Sequence, residues 1–314
     1  MAEMVKKATR ESFGETVTAL AAEYPEIVVL DADLAAATKT GIFKKAYPER
    51  FFDCGIAECN MVGVAAGLAT CGKIPFAASF AMFSAGRAFE QVRNSVGYPK
   101  LNVKIVGSHA GIYVGEDGAT HQCCEDIALM RTIPGMVILN PCDHYEMQAA
   151  VRAAVEHKGP CYIRLGRLAV ESINNNDDYK FELGKGITLR EGTDITVVAT
   201  GLMVQEAVKA ADALKEEGIS VEVINIHTIK PLDEELVIAS AKKTGRVITV
   251  EEHNIIGGLG EAVSTALSEH CPTPVTRIGV NDVYGHSGPA VDLLKEFGLS
   301  AEHIAEVIRE KLAK

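Results

Sequence analysis

Short apolar runs alternate with longer amphipathic stretches along this chain, and that alternation restricts it to one class of fold. In the first half the apolar runs cover 27–31, 103–107, 136–141 and 162–164, and the helical stretches cover 11–23, 57–71, 84–97 and 143–157. Short strands separated by helices predict a parallel sheet covered by helices on both faces. The first half is therefore predicted to be an α/β domain.

A polar segment divides the alternation into two parts. Residues 171–184 read ESINNNDDYKFELG, a composition typical of a linker. The pattern then restarts, with apolar runs at 195–200, 221–224 and 247–250 and helical stretches at 203–217, 233–243, 258–269 and 301–313. We predict two α/β domains, 1–170 and 185–314, each with a mostly parallel sheet covered by helices, joined by the linker 171–184.

Charge and hydropathy exclude several classes of function. The formal net charge is −11, which disfavours nucleic acid and anionic membrane surfaces as partners. The longest apolar stretch, around 61–71, is too short to span a bilayer, which needs about 20 apolar residues. The N-terminal residues lack the apolar segment of a signal peptide, so we expect a cytoplasmic protein.

Eight cysteines occur without a C-x-x-C pair or any zinc or iron–sulfur spacing. Most lie within apolar runs, which favours buried, reduced thiols. The adjacent Cys123 and Cys124 leave a redox or metal role open as the less favoured alternative.

Ligands of open parallel sheets bind beyond the carboxyl ends of the strands, so the loops after the predicted strands are the places to look. Glu58 follows one such loop and begins a stretch of small apolar residues, GIAECNMVGVAAG at 55–67. A helix that is apolar all round is expected to be buried, and burial favours a protonated carboxyl, which makes Glu58 a candidate general acid/base. The alternative is a helix-start carboxylate stabilised only by the helix dipole.

Two further segments are candidates for binding. The string VGEDGATHQ at 114–122, with His109 just before it, concentrates histidines and acids at a strand end, as a site for a polyhydroxylated substrate requires. It lacks the lysine and the glycine spacing of phosphate-binding loops. A solvated turn built on Gly115 and Gly118 is the alternative. The phenylalanines of 75–83 could stack on a planar ring, or all three could belong to the core.

Together these strings resemble the C-terminal portion of transketolase, a family of thiamine diphosphate enzymes. The matching strings are GIAECNM-x-GVAAG at 55–67, SFAMF at 79–83, SHAGIYVGEDGATHQ at 108–122, VEEH at 250–253 and YGHSG at 284–288. The GEDG-x-THQ string is the most specific of them, and the resemblance covers the whole chain.

The resemblance implies a set of cofactor contacts. Glu58 resembles the glutamate that bonds N1′ of the cofactor's aminopyrimidine. Phe83 resembles the aromatic residue that stacks on that ring, with Phe80 beside it and Ile56 as a weaker candidate for packing against it. Asp33 matches an aspartate near the cofactor.

The resemblance also implies substrate contacts. His109, Asp117 and His121 match residues on the substrate side, and His121 matches the histidine near both the donor's hydroxyls and the reactive carbon of the cofactor. Arg10 and Arg167 resemble the pair that binds the sugar phosphate, for which a planar guanidinium is well suited. His109 is a third candidate cation for that phosphate.

Three departures from the family pattern stand out. Ala35-Ala36-Ala37 replaces a serine that many members use to hold phosphate, and the first hydroxyls come later, at Thr38 and Thr40. Cys59-Asn60 follows Glu58 where full-length members often carry a histidine.

The third departure is that no Gly-Asp-Gly occurs, although the family holds the diphosphate and its metal with that motif. We therefore assign no metal ligand to this chain. We expect a separate N-terminal transketolase subunit that carries the motif to bind thiamine diphosphate and Mg²⁺ (or Ca²⁺), in a heterotetramer with two copies of each subunit.

The implied reaction moves a two-carbon ketol unit from a ketose phosphate of the xylulose 5-phosphate class to an aldose phosphate of the ribose 5-phosphate class, as in the pentose phosphate pathway. Two alternatives stay open. One is a β-type subunit of another thiamine enzyme, such as a 2-oxo acid dehydrogenase or a relative of deoxyxylulose-phosphate synthase. The other is a non-catalytic assembly module.

Overall fold

The structure is a computed structural model that describes residues 5–174 and 179–313. Four residues of the predicted linker, 175–178, lie outside the described part. Within the described ranges, no helix is long and apolar enough to cross a membrane.

The helices are α1 (Thr9–Leu20), α2 (Ala35–Thr38), α3 (Gly41–Ala46), α4 (Glu58–Thr70), α5 (Phe89–Gln91), α6 (Asp126–Arg131), α7 (His144–Glu156), α8 (Met203–Lys215), α9 (Glu234–Thr244), α10 (Leu259–His270), α11 (Ala290–Glu296) and α12 (Ala301–Leu312). The strands are β1 (Lys6–Ala8), β2 (Ile27–Asp31), β3 (Phe51–Asp53), β4 (Ile74–Phe80), β5 (Lys104–Ser108), β6 (Val137–Leu139), β7 (Cys161–Arg164), β8 (Ala169–Glu171), β9 (Ile187–Arg190), β10 (Ile195–Ala199), β11 (Val221–Asn225), β12 (Thr228–Lys230), β13 (Val247–Asn254) and β14 (Val275–Val280).

The first sheet has the strand order β12-β6-β7-β5-β4-β2-β3 over the described residues. Its strands are parallel except β12, which pairs antiparallel with β6. The central strands are buried along their whole length, as expected for a parallel sheet with helices on both faces. β4 passes through the phenylalanine-rich segment, which the hydrophobic pattern did not predict as a strand.

The second sheet has the order β14-β13-β10-β11-β9 and is parallel except for β9. Residues of α8 and α12 form one apolar cluster with its strands, and residues of α9 and α10 belong to another. The ends of these helices follow capping chemistry, since Asp233 and Ser300 accept a backbone N–H at the starts of α9 and α12. The prediction of two α/β folds with mostly parallel sheets is thus confirmed.

The two halves of the chain share a core. One apolar cluster contains Ile105 of the first sheet together with Ile224 and Leu259 of the second half. The strand β12, from the second half, also extends the first sheet at its β6 edge. The hydrophobic pattern did not indicate this strand, because three residues are too few to show a period of two. The exact domain bounds, 1–170 and 185–314, stay a prediction.

One predicted helix, 84–97, has a different form. It consists of two π-helical turns, Met82–Arg87 and Val92–Gly97, on either side of α5. A π-helical turn widens the helix and changes the direction of the side chains that follow it. The first of these turns carries Phe83 and Arg87.

Candidate active site

The carboxyl ends of five adjacent parallel strands bring the predicted residues to one edge of the first sheet. Asp33 follows β2, Glu58 follows β3, Phe83 follows β4, His109 follows β5 and Arg167 follows β7. The order of these strands, β7-β5-β4-β2-β3, makes them neighbours. Arg10 joins them from the second residue of α1 and donates to the backbone oxygen of Arg167 at 2.9 Å.

Glu58 is the first residue of α4 and is only 1% exposed. Its Oε1 accepts from Ser79 Oγ at 3.4 Å, and its Oε2 accepts from Arg87 Nη1 at 3.1 Å. Arg87 belongs to none of the motifs that predicted the site. The carboxyl group is therefore buried, as predicted, but it is paired with a cation whose side chain is 52% exposed.

The helix that Glu58 begins is not buried all round. Its inner side, with Met61, Val62 and Ala65, is in the core, whereas Gly63 and Val64 are exposed. The expectation of a wholly buried helix is wrong for this chain, because α4 covers the first sheet with one side only. The outer side also carries Gly67, and a Cβ built on Gly63 or on Gly67 would meet no atom within 4 Å.

Four rings form an aromatic group that Arg87 connects to Glu58. Phe80 stacks on His109 with ring centroids 4.0 Å apart, and it lies nearly parallel to Phe83 at 5.9 Å. His121 presents its edge to Phe83 at 5.4 Å and to Phe80 at 6.0 Å. Of the three phenylalanines in the segment, only Phe76 is a simple core residue, fully buried against Phe13.

Phe83 faces a cavity of about 850 Å³ between the two halves of the chain. Arg87 also lines it, and its guanidinium carbon lies 4.9 Å from the centre of the Phe83 ring. The other side of the cavity belongs to the second half, with Asn254 and Tyr284. An aromatic face and the guanidinium that pairs with the buried Glu58 thus line a space large enough for a cofactor-sized ligand.

Arg10 and Arg167 lie close together, as expected for an anion-binding pair. Arg10 Nη1 donates to the Ala37 backbone oxygen at 2.7 Å. Arg167 Nη1 donates to the Val114 backbone oxygen and to Glu116 Oε2, the latter at 2.6 Å. The Arg167 guanidinium holds the pKa of Glu116 below its usual range.

His109 is a neutral ring in this structure. Burial, followed by the charges of Arg10 and Arg167, lowers the pKa of His109 to about 3. Its Nε2 lies 3.3 Å from Arg10 Nη1 and must accept, because a guanidinium only donates. Its Nδ1 then carries the proton and donates to Ser108 Oγ at 2.8 Å. The expectation that His109 is a third cation is therefore wrong at neutral pH.

Residues 109–122, which we call the substrate loop, connect His109 to Asp117 and His121. The loop contains a 3₁₀ turn at Ile112–Val114 and left-handed glycines at 115 and 118. Asp117 is exposed, and His121 Nδ1 lies 2.9 Å from Thr120 Oγ1. His121 is held beside the phenylalanines, whereas Asp117 extends away from the protein.

The loop after β2 differs from the expectation for a phosphate contact. Asp31 is fully buried, and its Oδ2 accepts from Thr38 Oγ1 at 2.7 Å and from Thr40 Oγ1 at 2.8 Å. Burial raises the pKa of Asp31, and these hydroxyl groups oppose that rise. Both hydroxyls that could replace the missing serine are therefore directed into the protein.

Asp33 and Ile56 lie at the rim of this edge. Asp33 has a positive φ of 62° and donates its backbone N–H to Asp53 Oδ1 at 3.2 Å. Its own side chain is exposed. Ile56 is 77% exposed, so its predicted packing against a ring would need a group from outside this chain.

The cysteines are free thiols of mixed exposure. Cys123, Cys142 and Cys161 are buried, as expected, but Cys59 and Cys71 are exposed at the two ends of α4. Over residues 5–174 and 179–313, no group of three or more His, Cys, Asp or Glu side chains could hold a metal ion.

Comparisons with known proteins identify the family. Residues 5–172 match the pyrimidine-binding domain of transketolase, and residues 184–304 match the transketolase C-terminal domain. This chain belongs to the transketolase family, as its motifs predicted, and spans those two domains.

Individual relatives agree with this assignment. The chain is 52% identical, over 99% of its length and 98% of the relative's, to a protein of Methanocaldococcus jannaschii named as a transketolase C-terminal section. It is 46% identical to the 6-deoxy-6-sulfo-D-fructose transketolase subunit of a Clostridium species, over 96% of this chain and 93% of that one. It is 39% identical to human transketolase, with 98% of this chain aligned to 50% of the human protein.

A solved structure described as a split-gene transketolase, inactive beta4 tetramer, superposes with a TM-score of 0.91 at 51% identity. The match covers 98% of this chain and 99% of that one.

Proposed function

We propose that this chain is the C-terminal subunit of a split transketolase and transfers a two-carbon ketol unit from a ketose with an anionic end to an aldose phosphate. The observation that carries the proposal is the buried Glu58, which Arg87 connects to Phe83, on the same sheet edge as Arg167 and its neighbour Arg10. The near end-to-end match to proteins named as C-terminal sections or subunits of transketolase supports it.

Family membership implies dependence on thiamine diphosphate. The described residues suit the aminopyrimidine end of that cofactor, since Phe83 lines the cavity and Arg87, which also lines it, pairs with the buried Glu58. They offer no metal-ligand cluster for its diphosphate end. We therefore propose that a partner subunit with a Gly-Asp-Gly motif holds the diphosphate and the Mg²⁺ or Ca²⁺, in a heterotetramer with two copies of each subunit.

Each of these residues would have its own role in the reaction. Thiamine diphosphate, when bound, supplies the carbon nucleophile for ketol transfer. Glu58 would hold or release a proton at Oε toward the ring nitrogen, and Phe83 would orient the ring by stacking. The burial of Glu58 keeps water away from that proton.

On the substrate side, Arg10 and Arg167 would bind the anionic end of the sugar. His109, as a neutral ring, and His121 would contact its hydroxyl groups, and Asp117 and Asp33 would act from the rim. The sulfo-sugar relative shows that the transketolase family includes subunits named for a sulfonated ketose. Because guanidinium forks suit sulfonate as well as phosphate oxygens, both donors belong in the test.

The test is reconstitution. The chain is mixed with a Gly-Asp-Gly-bearing transketolase subunit, thiamine diphosphate and Mg²⁺, and ketol transfer to ribose 5-phosphate is measured with xylulose 5-phosphate or 6-deoxy-6-sulfofructose as donor. We expect transfer only when both subunits are present. Transfer by this chain alone would contradict the shared site. Decarboxylation of pyruvate without ketol transfer would instead favour a 2-oxo acid dehydrogenase type of subunit.

A further inference from the structure

Building on the proposed function, we propose that Glu252, a carboxylate of the second domain, is a positioning residue that fixes the backbone of the substrate loop and thereby places His109 and His121 for the ketose. Neither a metal nor a second ligand is needed for this role.

The contact is direct and buried. Glu252 lies on β13, is almost completely buried, and its Oε1 accepts from the backbone N–H of Tyr113 at 2.6 Å. The backbone N–H of Ile112 also donates to this carboxyl group. One side chain of the second domain therefore receives two consecutive amides of the loop, at the start of its 3₁₀ turn.

The backbone of the substrate loop contacts this carboxylate at Gly111. Gly111 has a φ of +78°, and a Cβ built on it would collide with Glu252 Oε1 and Cδ. Gly111 also pairs with Cys123 across the base of the loop, donating to its backbone oxygen at 2.8 Å. Since His109 lies two residues before Gly111, the position of its ring depends on where this glycine lies.

The second domain also holds the far end of the loop. Gln122 Nε2 donates to the His286 backbone oxygen at 3.0 Å, and Gly118 lies against Ser287 so closely that a Cβ would collide with its hydroxyl. His121 thus lies between two residues that contact the 285–288 segment. The loop that carries the substrate-side residues is supported at both ends by the second domain.

Glu252 is itself held in place by the guanidinium of Arg164. Arg164 Nη2 donates to the Glu252 backbone oxygen at 2.8 Å, and Arg164 forms an ion pair with Asp126 at 2.8 Å. Burial raises the pKa of Glu252 to about 7, while Arg164 and the two loop amides oppose that rise. Experiments at about pH 8 therefore keep Glu252 largely as the carboxylate that accepts from the loop.

The neighbouring Glu251 provides a matched control. It is equally buried on β13 and also accepts two backbone amides, from Leu259 and Gly260, each at 2.7 Å. These amides lie at the start of α10, within the second domain. A Glu251→Ala change therefore removes the same kind of contact without touching the substrate loop.

Kinetics of the reconstituted complex test the proposal at about pH 8. We expect Glu252→Ala to raise the KM for the donor ketose by roughly tenfold or more, with a smaller change in kcat and an unchanged Kd for thiamine diphosphate. Glu252→Gln should recover most of the loss, because its amide oxygen can accept the same N–H groups. An equal rise in KM for Glu251→Ala and Glu252→Ala would overturn the proposal.

Hydrogen exchange of the full chain tests the contact independently of activity. The amides of Ile112 and Tyr113 should exchange at least about tenfold faster in Glu252→Ala than in the wild-type chain or in Glu251→Ala. Unchanged exchange in Glu252→Ala would overturn the proposal even if the KM rose. If the wild-type complex shows no ketol transfer, the proposed function fails, while the exchange rates still decide whether Glu252 fixes the loop.

Discussion

At the scale of single residues, the site combines burial with charges that come from distant parts of the sequence. Glu58 is enclosed at the start of α4 and meets Arg87, which lies 29 positions later. His109 is kept neutral because burial desolvates its ring and because Arg10 and Arg167 lie close to it, which together lower its pKa. The residues proposed to act on a proton and on an anion are therefore separate: Glu58 for the first and the two arginines for the second.

The first prediction concerns Glu58. A Glu58→Gln variant keeps the shape of the side chain but cannot exchange a proton, so we expect the kcat of the reconstituted complex to fall by roughly 10²–10⁴-fold. Thermal unfolding should show that the variant remains folded. Glu306→Gln, an exposed change on α12, is the control and should keep full activity. Turnover close to wild type in Glu58→Gln would remove Glu58 from its proposed role.

The second prediction concerns Arg87. Its guanidinium pairs with Glu58 and lies over Phe83, the two groups proposed to hold the aminopyrimidine ring. The cofactor must therefore displace it from at least one of them. An Arg87→Gln variant loses the ion pair, and we expect it to lower the Kd for thiamine diphosphate by roughly two- to fivefold.

Titration calorimetry of the reconstituted complex measures that change. Arg152→Gln, which breaks an exposed ion pair with Glu23, is the control and should leave the Kd unchanged. Weaker cofactor binding in Arg87→Gln would show that Arg87 supports the cofactor instead of competing with it.

At the scale of elements, the segment between β2 and α3 is organised around one buried carboxyl group. Asp31 ends β2 and accepts from the backbone N–H of Leu34 at 2.6 Å, in addition to Thr38 and Thr40. These bonds fold α2 back against the strand end. Arg10 then donates to the Ala37 backbone oxygen of the same segment. The two threonines therefore shape the segment that positions Arg10.

The third prediction tests this arrangement. Thr40→Val preserves the shape of the side chain but removes one of the donors to the buried Asp31, so we expect the free energy of unfolding to fall by about 1–3 kcal/mol. Urea denaturation of the chain measures it. Thr70→Val, an exposed change at the end of α4, should alter that free energy by less than about 0.5 kcal/mol. Equal effects of the two variants would show that Asp31 does not depend on Thr40.

At the scale of the whole molecule, polar groups tie the two halves together around a shared apolar core. Glu146 of α7 accepts from Asn225 of β11 at 2.7 Å and from Tyr179, just after the undescribed residues of the predicted linker, at 2.8 Å. Arg164, which forms an ion pair with Asp126, makes a separate contact between the two halves, because it donates to the Glu252 backbone oxygen. The second domain thus contacts the first through buried polar groups, which must find their hydrogen-bond partners within the protein.

The fourth prediction follows from Glu146. Burial, with a contribution from Asp143, raises its pKa to about 7. Between its ordinary value and this one, the unfolded chain has released the proton while the folded chain keeps it. The free energy of unfolding therefore falls as pH rises through that window. Glu146→Gln cannot ionise, so its stability relative to wild type should rise by up to about 3 kcal/mol from about pH 5 to about pH 8.

Urea denaturation across that pH range checks the trend. Glu216→Gln, an exposed change after α8, is the control and should show no comparable trend with pH. A stability difference between Glu146→Gln and wild type that stays constant with pH would contradict the prediction.

The sequence by itself determined the two α/β folds and placed His109 and Arg167 in loops that follow predicted strands, whereas Phe83 entered the predicted site through its match to a family motif. It could do so because strand and helix periods are local, and because parallel strands end on the same side of a sheet. Its motifs also identified the transketolase family.

Only the tertiary structure decided which groups touch across the edge. Examples are the hydrogen bonds from Arg87 to Glu58, from the two threonines to Asp31 and from Tyr113 to Glu252. These bonds join residues that are 7 to 139 positions apart. No periodicity relates such residues. Their contacts, and with them the charge of His109, depend on how one sheet packs against its helices and against the second domain.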